Sequence, residues 1–84
     1  MKKAFKINNA NDYGLLMAFC IEHDVSVFRT YFNVGEVYNI DFNDKRCYHS
    51  KEKYYIDNGY TILVPDFYFD KYGVVHLRNL EIHS

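Results

Sequence analysis

Apolar and polar residues alternate through Ala4, Phe5, Lys6 and Ile7, which predicts a short first strand. The period then lengthens. Tyr13, Leu16, Phe19 and Cys20 recur three or four apart, which places them on one side of a helix over residues 10–23 that packs against a sheet. Asn9 is the natural cap for this helix, because its side-chain oxygen can accept an amide of the first turn that has no partner within the helix. Asp12 sets a negative charge against the positive end of the helix dipole. Met17 and Ile21 widen the apolar arc on one side and Leu15 on the other, as in a helix sunk deep in a small core or one that also meets a partner.

After the helix the pattern is that of strands. Residues 25–32 are rich in β-branched and aromatic side chains and predict a second strand, and Asn33, Val34 and Gly35 turn the chain. Residues 37–42 alternate, with Tyr38, Ile40 and Phe42 inward and Asn39 and Asp41 outward. Asn43, Asp44 and Lys45 mark another turn, and from Lys45 to Lys53 the apolar pattern lapses into what reads as a loop. Asn58-Gly59 then lies between Tyr54-Tyr55-Ile56 and residues 60–64. Both residues of the pair tolerate positive φ, so a tight hairpin turn is predicted. Apolar groups on both faces of residues 60–64 predict a central strand, ended by Pro65, which has no amide to donate. Residues 66–73 read as one helical turn, capped by Asp66 and closed by Gly73. A last strand begins at residues 74–77, and a phase change at Arg78-Asn79, which moves Leu80 and Ile82 to the other set, predicts a bulge.

This order predicts a single α+β domain over residues 1–84: one N-terminal helix packed on a curved antiparallel sheet of about five strands. An SH3-like small barrel over residues 28–82 is the alternative. The length allows one core, and a hydrophobic content of 49% with nine Tyr and seven Phe supplies it. A formal net charge of −1 sets up no overall field toward nucleic acid or an anionic membrane, so any such contact must come from a local patch. The longest apolar run, residues 15–21, is too short to cross a bilayer, and the N-terminus has no signal-peptide apolar block. A cytoplasmic protein with no membrane contact is expected. Cys20 and Cys47 make no disulfide framework and are expected to be reduced thiols.

The FKIN strand at residues 5–8, the helix end at Ile21-Glu22-His23-Asp24 and the YYIDNGYTI segment before a Tyr/Phe-rich turn together resemble the small accessory proteins of tailed bacteriophages. The resemblance covers most of the chain and rests on structural elements, so no active-site residue carries over from it. It implies a host-takeover or counter-defence role in the host cytoplasm: binding and inhibition of a host or defence protein such as a nuclease, toxin, restriction or CRISPR effector.

The candidate chemistry is that of a surface. Lys45, Arg46, Tyr48, His49, Lys51 and Lys53 mix cations with rings, the combination that contacts phosphates and stacks bases, or that meets an acidic partner. Asp44 and Glu52 dilute this charge, and a solvated loop is the alternative. Nine tyrosines exceed what a small core hides, so Tyr54, Tyr55, Tyr68 and Tyr72 are candidate protein-interface anchors. His49 and His76 are a conceivable acid–base pair of a nuclease, although no neighbouring group fixes their roles. Asp66 and Asp70 read as a cap and its neighbour. No metal site, cofactor or phosphate loop is expected from the spacing of Cys, His and Gly. The reading is therefore a non-enzymatic binding protein, an inhibitor of a host or defence protein with RNA as a further partner and a homodimer left open. A small RNA- or DNA-binding protein acting through the Lys/Arg/Tyr loop is the alternative.

Overall fold

The computed structural model describes residues 2–27 and 32–80. The elements in chain order are β1 (Lys3–Ile7), α1 (Ala10–Glu22), β2 (Ser26–Val27), β3 (Glu36–Asp41), β4 (Arg46–Ser50), α2 (Glu52–Asp57), β5 (Thr61–Leu63), β6 (Phe67–Phe69) and β7 (Val75–Leu77), with a 3-10 turn at Arg78–Leu80. Five strands form one sheet in the order β2-β4-β3-β1-β5, and β6 and β7 form a separate two-stranded ribbon. The α+β class and the helix packed on a five-stranded sheet are as the sequence predicts. The sheet is mixed, however. β3 is antiparallel to β1 and β4, whereas β5 runs parallel to β1 and β2 parallel to β4. With β2 and β5 at opposite ends of the strand order the sheet is open, and the described residues do not form the alternative barrel.

Helix α1 starts where its cap signal lies. Asn9 has extended backbone (φ −153°), and its side chain accepts the Asp12 amide at 2.8 Å. Leu16, Phe19 and Cys20 are buried, while Ile21 is 79% exposed, so the apolar arc is broader than the face that packs. The helix ends in a Schellman arrangement: Asp24 takes φ +56°, its amide donates to Ile21 O at 3.2 Å and that of Val25 to Cys20 O at 2.8 Å. Val25 and Cys20, the apolar pair that closes this motif, are both in the core.

The sheet is covered on both faces. On one, Phe5, Ile7, Tyr38 and Cys47 pack under α1 together with Val75 and Leu77 of the ribbon. On the other, Ala4 and Val37 pack under Tyr55 of α2, with Tyr60 and Ile62 beside them. Alternation along β1 and β3 sends successive side chains into the two clusters, which makes these the central strands. Phe42, expected inward, lies beyond the end of β3 and is 47% exposed, its ring 6.5 Å from that of Phe19 and 5.8 Å from that of His23.

Four local expectations are corrected. Asn58-Gly59 closes a helix instead of a hairpin: residues 52–57 form α2, Asn58 is its C-cap, and Gly59 has φ +80°. Gly59 N–H donates to Ile56 O at 3.2 Å and Tyr60 N–H to Tyr55 O at 3.0 Å, a second Schellman motif, sealed by the Tyr55 and Tyr60 rings 4.9 Å apart. A tight turn and a helix end both need a residue at positive φ, so the Asn-Gly signal serves either. Second, residues 46–50 are strand β4, not loop, and pair with β3 throughout. Third, residues 61–63 sit at the sheet edge as β5, not at its centre. Fourth, residues 67–69 are strand β6, not a helical turn: Phe67, Tyr68 and Phe69 pair with Leu77, His76 and Val75. The phase change after β7 is the 3-10 turn, which returns Leu80 to the main core. Residues 28–31 of the predicted second strand, Ile82 and His83 lie outside the described residues.

Candidate functional site

The predicted basic patch is kept only in part on one side of the sheet. Strand alternation puts Arg46 and Tyr48 on the α2 side of the sheet and His49 on the α1 side, opposite Tyr38, while Lys51 and Lys53 belong to the start of α2. Charge on this stretch is met locally as well. Lys45, at φ +54°, lies 3.8 Å from Asp24, and Lys53 is 2.7 Å from Asp57 on the next helical turn. Tyr48 donates its hydroxyl to Asp44 at 3.0 Å, and that hydrogen bond raises its pKa. His49 Nδ1 lies 3.0 Å from Glu36 Oε1, with the Tyr38 ring 5.9 Å away and the Tyr38 hydroxyl 3.4 Å from Glu36 Oε2. This polar cluster under α1 is built from residues 13 positions apart in sequence and is not legible before β3 and β4 pair.

Nor do the four tyrosines make one face. Tyr55 is 1% exposed and is a core side chain, not a surface anchor; desolvation is the main cause that raises its pKa. Tyr54 is exposed on α2, on one side of the sheet. Tyr68 and Tyr72 belong to the β6–β7 ribbon, whose inner side packs with α1 on the other.

The ribbon carries a group of surface side chains that hold one another. Tyr68 and His76 are cross-strand partners with rings stacked at 4.9 Å and 14°, and the Arg78 guanidinium lies 4.3 Å from the Tyr68 ring centre. Each end of this stack is held by a carboxylate: His76 Nε2 is 2.8 Å from Asp70 Oδ2, and Arg78 Nε is 3.2 Å from Asp66 Oδ2. Asp70 also shapes the ribbon's tip, its Oδ1 accepting the amides of Tyr72 at 2.8 Å and Val74 at 3.0 Å. The hydrogen bond to His76 is the largest of several effects that hold the Asp70 carboxyl below its ordinary pKa. Beside this stack, Phe69 is 60% and Tyr72 79% exposed. The sequence offered each of these residues separately; only the Tyr68↔His76 register joins them.

The two histidines singled out as a catalytic pair each face a separate carboxylate, Glu36 for His49 and Asp70 for His76. Among the described residues no group of three or more His, Cys, Asp or Glu side chains comes together as a metal-binding set. No helix of the described residues is long and apolar enough to cross a membrane. No protein-family model, no curated protein and no solved structure matches this chain.

Proposed function

We propose that this chain is a non-enzymatic binding module that acts by covering the working surface of a partner protein, with the β6–β7 ribbon as its contact element. The observation that carries this reading is the Arg78–Tyr68–His76 stack, fixed at both ends by carboxylates and flanked by exposed Tyr72 and Phe69. Tyr and Arg dominate the energetically important positions of protein interfaces, and side chains already ordered before contact lose little entropy on binding. The predicted basic patch supports nucleic-acid contact less well, because Lys45 and Lys53 have carboxylate neighbours and His49 faces the other side of the sheet. The class of partner, a bacterial defence or host protein such as a nuclease, toxin, restriction or CRISPR effector, is drawn from the likeness of the sequence to phage accessory proteins. In that role the module inhibits by steric occlusion.

Affinity capture from bacterial lysate, run with and without nuclease treatment, tests the proposal. One stoichiometric protein partner is expected, retained after nuclease and lost from a folded variant carrying both Tyr68→Ala and Tyr72→Ala. Recovery of nucleic acid alone, or a partner indifferent to the two substitutions, overturns it.

A further inference from the structure

The ladder between the two central strands stops early. Its last pair is Phe5↔Tyr38, although β1 reaches back to Lys3 and β3 runs on to Asp41. Beyond that pair each strand keeps only its outer neighbour: Lys3 and Ala4 pair with Thr61 and Ile62 of β5, and Ile40 and Asp41 with Cys47 and Arg46 of β4. The sheet therefore forks at its centre. A groove of about 620 Å³ lies at the fork, within the range of small-molecule sites.

Four basic side chains outside the groove are already met by acids. Lys6, Lys45, Lys53 and Arg78 each lie against a carboxylate, at 3.6, 3.8, 2.7 and 3.2 Å. Lys2 and Lys3, which line the groove, meet carbonyl oxygens instead: Lys2 Nζ donates to Asn58 O at 3.4 Å and Lys3 Nζ to Asn79 O at 2.8 Å. Neither is in an ion pair among the described residues. An ammonium has three donors, so each retains two for a ligand. The opposing charge in the lining, Asp41, accepts the amides of Asn43 and Asp44 on its Oδ1 at 2.9 and 3.1 Å, and against the two lysines it leaves the lining a net charge of +1. Two rings complete the walls: Tyr60, whose centre is 5.3 Å from Lys2 Nζ, and the half-exposed Phe42. Asn39 uses its oxygen to accept the Tyr55 hydroxyl at 2.6 Å, which leaves its amide N–H groups as donors toward the groove.

From this arrangement we infer that the fork binds a small anionic ligand carrying a flat ring, in class a nucleoside 5′-monophosphate. The phosphate sits between the Lys2 and Lys3 ammonium groups, the ring lies against Tyr60 or Phe42, and the Asn39 amide donates to a ring acceptor. The consecutive positions of the two lysines send them to opposite sides of a continuous sheet, and it is the parting of the strands that lets both line one groove. The site is separate from the ribbon and does not rest on the protein-binding reading.

Titration of the isotopically labelled full chain with AMP, UMP and inorganic phosphate, followed by amide chemical shifts, tests the inference. Saturable shifts are expected at Lys2, Lys3, Asn39, Ile40, Phe42 and Tyr60, with nucleotide bound more tightly than phosphate. Loss of one charge-assisted contact in Lys2→Gln weakens binding about tenfold, and added salt weakens it further. Lys2→Gln leaves the Lys3 contact to Asn79 intact, so the measurement does not depend on a variant that disturbs the fold. Three results overturn the site: no saturable shift at millimolar nucleotide, shifts centred on residues 45–53, or an unchanged affinity in Lys2→Gln. Phosphate binding as tightly as nucleotide overturns the ring contact.

Discussion

The Tyr55 hydroxyl donates to Asn39 Oδ1 at 2.6 Å, fastening α2 to the outer side of β3 from a side chain that is 1% exposed. Removing the hydroxyl alone, in Tyr55→Phe, lowers stability by about 1 kcal/mol, because Asn39 is half-buried and water replaces the bond only in part. Tyr55→Ala empties the centre of the second cluster and costs about 3–5 kcal/mol. Equilibrium urea unfolding of the three proteins measures both. A Tyr55→Ala protein within about 0.5 kcal/mol of the parent would restore Tyr55 to the surface role that its sequence context implies.

The two Schellman ends make opposite predictions. Gly59 has φ +80°, and a Cβ there meets nothing within 4 Å, so Gly59→Ala costs only the backbone penalty of a left-handed L-residue, about 1–2 kcal/mol. Asp24 already bears that penalty at φ +56°. Its side chain is 93% exposed and its contact to Lys45 is a long surface ion pair, which contributes little. Asp24→Gly therefore raises stability, by about 0.5 kcal/mol after the greater freedom of glycine in the unfolded chain offsets part of the gain. Thermal melts of the two variants should shift in opposite directions.

Asp70 gives the ribbon a dependence on acid. Its folded pKa lies below the ordinary carboxylate value of about 3.9, so the ionised form is the one the fold favours. The resulting stabilisation is fully present above that ordinary value and is lost as pH falls through the lower folded one. The difference in melting temperature between the parent and Asp70→Asn should shrink as pH falls below about 4. A difference that widens in acid would contradict the assignment.

Cys20 and Cys47 meet across the interface of α1 and β4, both thiols buried. The hydrogen bond between them, with burial, pushes Cys47 up, and the same bond draws Cys20 down. Access, more than acidity, controls their chemistry, because the thiolate must form where a reagent can reach it. Neither thiol should react with a chromogenic disulfide in native buffer, and both should react in denaturant, at a rate that follows unfolding. Prompt labelling of one thiol in the native protein would show that α1 opens locally from the sheet.

Features that depend on neighbours in the chain were legible from the residues alone. Asn9 capped α1, the spacing of Leu16, Phe19 and Cys20 set its buried face, alternation marked β1 and β3, and Pro65 followed the end of β5. Each is a local matter of hydrogen-bond supply or periodicity. Long-range packing settled what Asn58-Gly59 closes, because a left-handed glycine ends a helix as readily as it turns a hairpin and the choice falls to whether Tyr55 finds Ala4 and Val37 beneath it. It likewise paired β5 with β1 in parallel, opened the fork beyond Phe5↔Tyr38 and brought Tyr68, His76 and Arg78 into one stack. Pairing register joins residues far apart in the chain, and its energy comes from burial shared between them, which no single stretch encodes.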